Sequence, residues 1–148
     1  VTCGENFSCT VLDTGTVACW GGNDFGQLGT APGEGSPVPV EVEGLSGVRS
    51  IDAGSHQACA LLEDGGVVCW GQGHLGQLGN GSDSDSYSPV DVVGLESGVA
   101  AVSCGRHFCC ALLESGAVMC WGENGAGELG DGTTENCSSP VAVECPSP

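Results

Sequence analysis

One cysteine-flanked segment is written three times along this chain. The copies run from Cys9 to Gly21, from Cys59 to Gly71 and from Cys110 to Gly122. Each is an apolar run, a polar turn containing Gly15, Gly65 or Gly116, and a second apolar run ending in Cys-Trp-Gly. Two apolar runs about a short glycine turn read as a β-hairpin. Counting outward from the turn sets Cys9 opposite Cys19, Cys59 opposite Cys69 and Cys110 opposite Cys120. Opposed residues of an antiparallel pair hold their Cβ atoms within disulfide reach. The expected frame is three disulfide-stapled hairpins.

The repeat extends past the hairpin. After each Trp-Gly comes a glycine-rich turn: Asn23 to Gly29, Gly73 to Gly79, and Asn124 to Gly130. A variable polar loop follows, then a short proline-led strand at Pro37–Val42, Pro89–Val93 and Pro140–Val143. Further alternating runs lie at Val48–Asp52 and Val99–Ser103. No segment carries a helical period, so the chain reads as all-β. A period near fifty built of short strands predicts propeller-type blades, either an incomplete β-propeller or an open stacked array. The predicted repeats are about 1–47, 48–98 and 99–148 within one domain. Trp20, Trp70 and Trp121 each follow a paired cysteine, point to the other face of the strand and are expected in the core.

The combination Ala-Gly-x-His-x-x-Cys-Ala-Leu, Gly-x-Val-x-Cys-Trp-Gly, Gly-Gln-Leu-Gly and Ser-Pro-Val resembles the regulator of chromosome condensation repeat across essentially the whole chain. Cys-Trp-Gly resembles its cysteine-rich secreted branch. The resemblance implies propeller blades and roles in protein–protein binding, among them nucleotide exchange on a small GTPase and inhibition of secreted enzymes. No exchange-site residues carry over onto this sequence.

Charge narrows the partners. Nineteen acidic residues stand against two basic ones, a net charge of −17. Such a surface repels nucleic acid and anionic membranes, which are bound by Lys and Arg clusters. No apolar run approaches membrane-spanning length. Eleven cysteines with no Cys-x-x-Cys pair favour a disulfide framework over a metal site, hence an oxidising compartment. Three of the five asparagines, Asn6, Asn80 and Asn136, sit in glycosylation signals. Together these predict a secreted, extracellular glycoprotein, met here as a processed chain or as a piece of a longer one.

Five cysteines remain outside the hairpins: Cys3, Cys104, Cys109, Cys137 and Cys145. Five cannot all pair within one chain, which makes them candidates for inter-subunit bridges; the alternative is local pairing, such as Cys137 with Cys145, plus a buried thiol. Three blades are also too few to close a ring. The sequence allows a fragment of a longer propeller, a six-bladed ring of two copies, or open head-to-tail stacking.

Catalytic signatures are absent: no Gly-x-Ser-x-Gly, His-Glu-x-x-His, P-loop or dinucleotide fingerprint occurs. His56 and His107 recur at one repeat position, with Asn6 in the remaining copy, and predict a structural hydrogen bond to a neighbouring loop. His74 is a single variable-loop residue. Asp83 and Asp85 are the candidate Ca²⁺ ligands, although the loop lacks the glycine and distal glutamate of an EF-hand. The function expected is non-enzymatic self-assembly into an extracellular filament or surface structure, with copies of the chain as partners. The alternative is a propeller module binding a protein or glycan.

Overall fold

A computed structural model describes residues 1–144. It holds twelve strands: β1 (Thr2–Cys3), β2 (Phe7–Val11), β3 (Val17–Asn23), β4 (Gly33–Glu41), β5 (Val48–Ala53), β6 (Gln57–Leu62), β7 (Val67–Gly71), β8 (Ser86–Asp91), β9 (Val99–Cys104), β10 (Phe108–Leu113), β11 (Val118–Gly122) and β12 (Cys137–Ala142). They form three four-stranded antiparallel sheets in simple meander order, β1–β4, β5–β8 and β9–β12. The architecture is all-β, three propeller blades with no closed barrel.

Each hairpin turn repeats one solution. In the middle blade the Gly65 amide donates to the Leu62 carbonyl, and the Leu62 amide to the Gly66 carbonyl. Gly65 adopts φ +84°, a region open to glycine at little cost. That turn fixes the register, so Cys9 faces Cys19, Cys59 faces Cys69 and Cys110 faces Cys120. All three pairs are disulfides, each with Cα atoms 4.1 Å apart.

The outer strands begin earlier than the prolines suggest. Val40 pairs with Cys19, yet Ser36 pairs with Gly21, so the outer strand carries extra residues at a bulge. The other blades repeat it, with Ser86 and Cys137 opposite Gly71 and Gly122. Pro37, Pro89 and Pro140 occupy these bulges, where the missing amide breaks no ladder bond. The strands therefore reach back to Gly33, Ser86 and Cys137, into stretches read as loop.

Packing between blades is carried by their inner strands, β1 and β2 on β5, and β5 and β6 on β9. One core lies between the first two blades, where the Cys9–Cys19 disulfide, Val17 and Leu28 meet Ala58, Ala60, Val68 and Trp70. A second lies between the next two, where the Cys59–Cys69 disulfide, Leu61 and Leu78 meet Cys109, Ala111 and Trp121. Trp70 and Trp121 are fully buried there, and each indole Nε1–H donates to the preceding blade, to the Gln27 carbonyl at 3.0 Å and the Gln77 carbonyl at 3.1 Å. Trp20 departs from the expected core position: it is half-exposed on the outer face of the first blade.

Candidate interaction surfaces

The two end faces are the two halves of the internal junction. On the third blade, Cys110, Leu112 and Val118 hold the places that Cys59, Leu61 and Val67 hold in the second core. With Ala101, Ser103 and neighbouring backbone they line an open, mostly apolar groove of about 180 Å³. Leu112 is 44% exposed where its counterpart Leu61 is 1% exposed. On the first blade, Ser8, Thr10, Ala18 and Trp20 hold the places of Ala58, Ala60, Val68 and Trp70. Trp20 makes no indole hydrogen bond among the described residues, and no donor reaches the carbonyl of Glu128, the repeat counterpart of Gln77.

The inner ends of the blades surround a second surface, an open depression of about 510 Å³ lined by Cys3, Gly4, Glu5, Ser55, Cys104 and Arg106 among others. Its floor is tied together by backbone bonds from Glu5 to Ser55 and from Ser55 to Arg106. Just behind it Asp52 bridges all three blades. Its carboxylate accepts Thr2 Oγ1–H at 3.0 Å, Ser103 Oγ–H at 3.2 Å and the Cys104 amide at 2.8 Å.

The leftover cysteines part company. Cys104 and Cys109 are opposed across the β9–β10 turn and form a fourth disulfide. Cys3 holds the repeat position of Cys104, but Ser8 stands where Cys109 would be, with its hydroxyl 3.6 Å from the Cys3 sulfur. Cys3 is exposed and Cys137 partly buried, and neither has a disulfide partner among the described residues. Burial, then the charges of Asp131 and Glu135, pushes the Cys137 thiol up. Cys145, and with it the Cys137–Cys145 pairing, lies outside the described residues.

The two recurring histidines differ. His56 Nδ1 lies 3.3 Å from Asn6 Oδ1, its Nε2 3.7 Å from Glu5, and its ring stacks at a tilt on Phe25. His107 Nδ1 is buried with no hydrogen-bond partner among the described residues, where the shared structural bond expected for this position holds for His56 alone. Burial holds the His107 pKa below its usual value; Arg106, His56 and His74 push the same way and Glu123 opposes them. His74 is exposed.

The sequon asparagines each use the side-chain oxygen locally. Asn6 Oδ1 accepts from Gln27, Asn80 Oδ1 from the Ser82 amide, and Asn136 Oδ1 from the Asn124 amide. Their amide nitrogens, the atoms a glycan would take, make no hydrogen bond among the described residues. Asp83 and Asp85 are exposed, and Asp85 Oδ1 accepts the Gly73 amide at 2.7 Å, closing its own loop. Thr133 amide and hydroxyl bonds hold the Asp131 carboxyl below its usual range. Among the described residues, the one group of three or more metal-donor side chains within mutual reach is sulfur: Cys59, Cys104 and Cys109. Sequence reading overlooked this grouping.

The sequence profile of the Regulator of chromosome condensation (RCC1) repeat matches residues 14–61, 64–112 and 115–147. Each match begins at or beside a hairpin turn, and the first two run into the next blade. The chain is 37% identical to the human E3 ubiquitin-protein ligase HERC2 over 97% of its own length and 3% of the ligase. It is 32% identical to the ultraviolet-B receptor UVR8 of Arabidopsis thaliana, over 97% of this chain and 34% of the receptor. Among solved structures, Prp20p of Saccharomyces cerevisiae, described with its binding to Gsp1p and histones, superposes with a TM-score of 0.85 at 22% identity, over 97% of this chain and 37% of that one. The chain thus spans about a third or less of these relatives.

Proposed function

We propose that this chain, which belongs to the regulator of chromosome condensation repeat family, is a non-enzymatic protein-binding module whose end faces take up further blades of the same kind. A second copy is the simplest supplier, and repetition of that contact adds copies head to tail. One observation carries the reading: the unmatched groups of the two ends are complementary. The Trp20 indole lacks the carbonyl that Trp70 and Trp121 find, and the Glu128 carbonyl lacks the indole that Gln27 and Gln77 receive. The exposed Leu112 on one face and the half-exposed Trp20 on the other would bury each other's neighbours as the internal junctions do.

An extracellular setting supports the same reading. Four disulfides suit an oxidising compartment. Glycans on Asn6, Asn80 and Asn136 would cover the blade edges and limit lateral contacts. A fall in mass on enzymatic removal of N-glycans from secreted material tests that part.

The native mass across a concentration series, by light scattering, tests the assembly. Masses that climb with concentration and lack a fixed stoichiometry are expected, and fibres should follow under the microscope. A single two-chain species would mean a closed six-bladed ring instead. A lone chain at every concentration overturns self-assembly.

A second reading rests on the depression between the inner strands. Arg106, one of two basic residues in a strongly acidic chain, stands at its rim with Glu5 and Ser55. Such a polar mouth suits a protein loop or a glycan. The yeast relative's description as a protein binder supports protein over glycan.

A further inference from the structure

The junction between the second and third blades holds four cysteines where the first junction holds two. Facing the Cys9–Cys19 disulfide, the middle blade presents the opposed pair Ala53 and Ala58. Facing the Cys59–Cys69 disulfide, the third blade presents at the same register Cys104 and Cys109. The third hairpin is already stapled by Cys110–Cys120, and Cys104–Cys109 closes a loop only five residues long, so the extra pair adds modest chain constraint. What it adds is sulfur beside sulfur.

The Sγ atoms of Cys59 and Cys109 lie 3.6 Å apart, and those of Cys59, Cys104 and Cys109 all fall within 4.8 Å of one another. Thiolates in a tetrahedron about one zinc ion, at a metal–sulfur distance of about 2.3 Å, stand about 3.8 Å from each other. Cys59, Cys69 and Cys109 are fully buried, whereas Cys104 is partly exposed and lines the axial depression, which supplies an entry path. The Asp52 carboxylate holds the Cys104 amide, fixing that strand end and placing negative charge beside the cluster.

We propose that Cys59, Cys104 and Cys109 form a redox-gated site for one thiophilic divalent cation such as Zn²⁺, with the fourth position of its tetrahedron left to solvent. In the oxidised form they are held in the Cys59–Cys69 and Cys104–Cys109 disulfides and bind none. A small dithiol reductant reaches Cys104–Cys109 first, through the depression, and leaves as its own cyclic disulfide, giving two thiols. The Cys109 thiolate then attacks Cys59, forming Cys59–Cys109 and releasing Cys69 as a thiolate. A second dithiol reduces that bond, so two dithiols are oxidised and four thiols result. The cation displaces the protons of Cys59, Cys104 and Cys109 and ties the two blades together, and Cys69 stays a thiol. This site is internal to one chain and stands apart from any association between copies.

The test uses Co²⁺ as a spectroscopic probe on the full chain, reduced and kept anaerobic. One Co²⁺ per chain is expected, with intense thiolate charge-transfer absorption and the visible bands of tetrahedral cobalt, both bleached by equimolar Zn²⁺. Cys109→Ser should abolish the tetrahedral thiolate spectrum, and Cys104→Ser should weaken binding at least tenfold. The double variant Cys9→Ser/Cys19→Ser should leave it unchanged. No tetrahedral thiolate spectrum, or one that persists in Cys109→Ser, overturns the site. So does a reduced chain that is unfolded by circular dichroism and stays unfolded with the cation present.

Discussion

At the scale of single residues, the three tryptophans are a matched set placed in two environments. Trp70 is buried with its indole hydrogen bonded across a junction, while Trp20 has the same local sequence and no such partner. Trp70→Phe removes a buried bond and some packing volume, and should lower the unfolding free energy by about 2 kcal/mol. Trp20→Phe should cost about half a kcal/mol or less in the isolated chain. Urea unfolding of the two variants side by side makes the comparison. His107 supplies a pH dependence. Burial holds its folded-state pKa below that of a free imidazole, so the unfolded chain takes up the proton first as pH falls. Stability should therefore be flat above about pH 6.5, decline below it, and stop declining from this source once the folded residue is protonated too. In His107→Gln that decline should be missing, as read from denaturation midpoints of both proteins through the same window. The recurrence of histidine at this position was visible in the sequence, but its opposite outcomes were not. Whether a ring nitrogen finds a partner depends on the preceding blade, which offers Asn6 to His56 and no partner to His107 Nδ1.

At the scale of elements, the hairpins were the legible part because a two-residue period and a glycine turn leave one register for the cysteines. Replacing Cys59 and Cys69 together by alanine frees a ten-residue loop in the unfolded chain and should cost about 2–3 kcal/mol. Equilibrium unfolding of the double variant against wild type measures it. The disulfide between Cys104 and Cys109 was harder to see. Its signal is a spacing of five across the turn from β9 to β10. The same spacing is filled by Ala53 and Ala58 in the middle blade and by Cys3 and Ser8 in the first, so repetition dilutes the signal instead of reinforcing it. The outer strands were misjudged for a related reason. Proline marks a strand start when the ladder is regular, but here it fills a bulge inside the strand, and a bulge depends on the partner strand.

At the scale of the whole molecule, two opposing terms would govern the proposed meeting of chains. The end faces carry the groups that hold adjacent blades together, and the surface carries a net charge of −17 that drives chains apart. Salt screens the second term and leaves apolar burial intact, so association should strengthen as ionic strength rises. The faces are unequal. The third blade keeps the apolar side chains of an internal junction, whereas the first presents Ser8 and Thr10 where the middle blade has Ala58 and Ala60. Burying these two hydroxyls, whose partners are the Cys3 sulfur at 3.6 Å and the Val11 carbonyl at 3.3 Å, would cost about 1 kcal/mol each, a penalty that would keep such a contact reversible. Ser8→Ala/Thr10→Ala should remove it and tighten association at least tenfold, and Leu112→Glu, which sets a charge in the third blade's own apolar groove, should abolish association. Sedimentation at several protein and salt concentrations reads all three changes. If the double variant binds no more tightly while Leu112→Glu still abolishes association, the first blade is not the face that Leu112 meets, and the partner docks elsewhere.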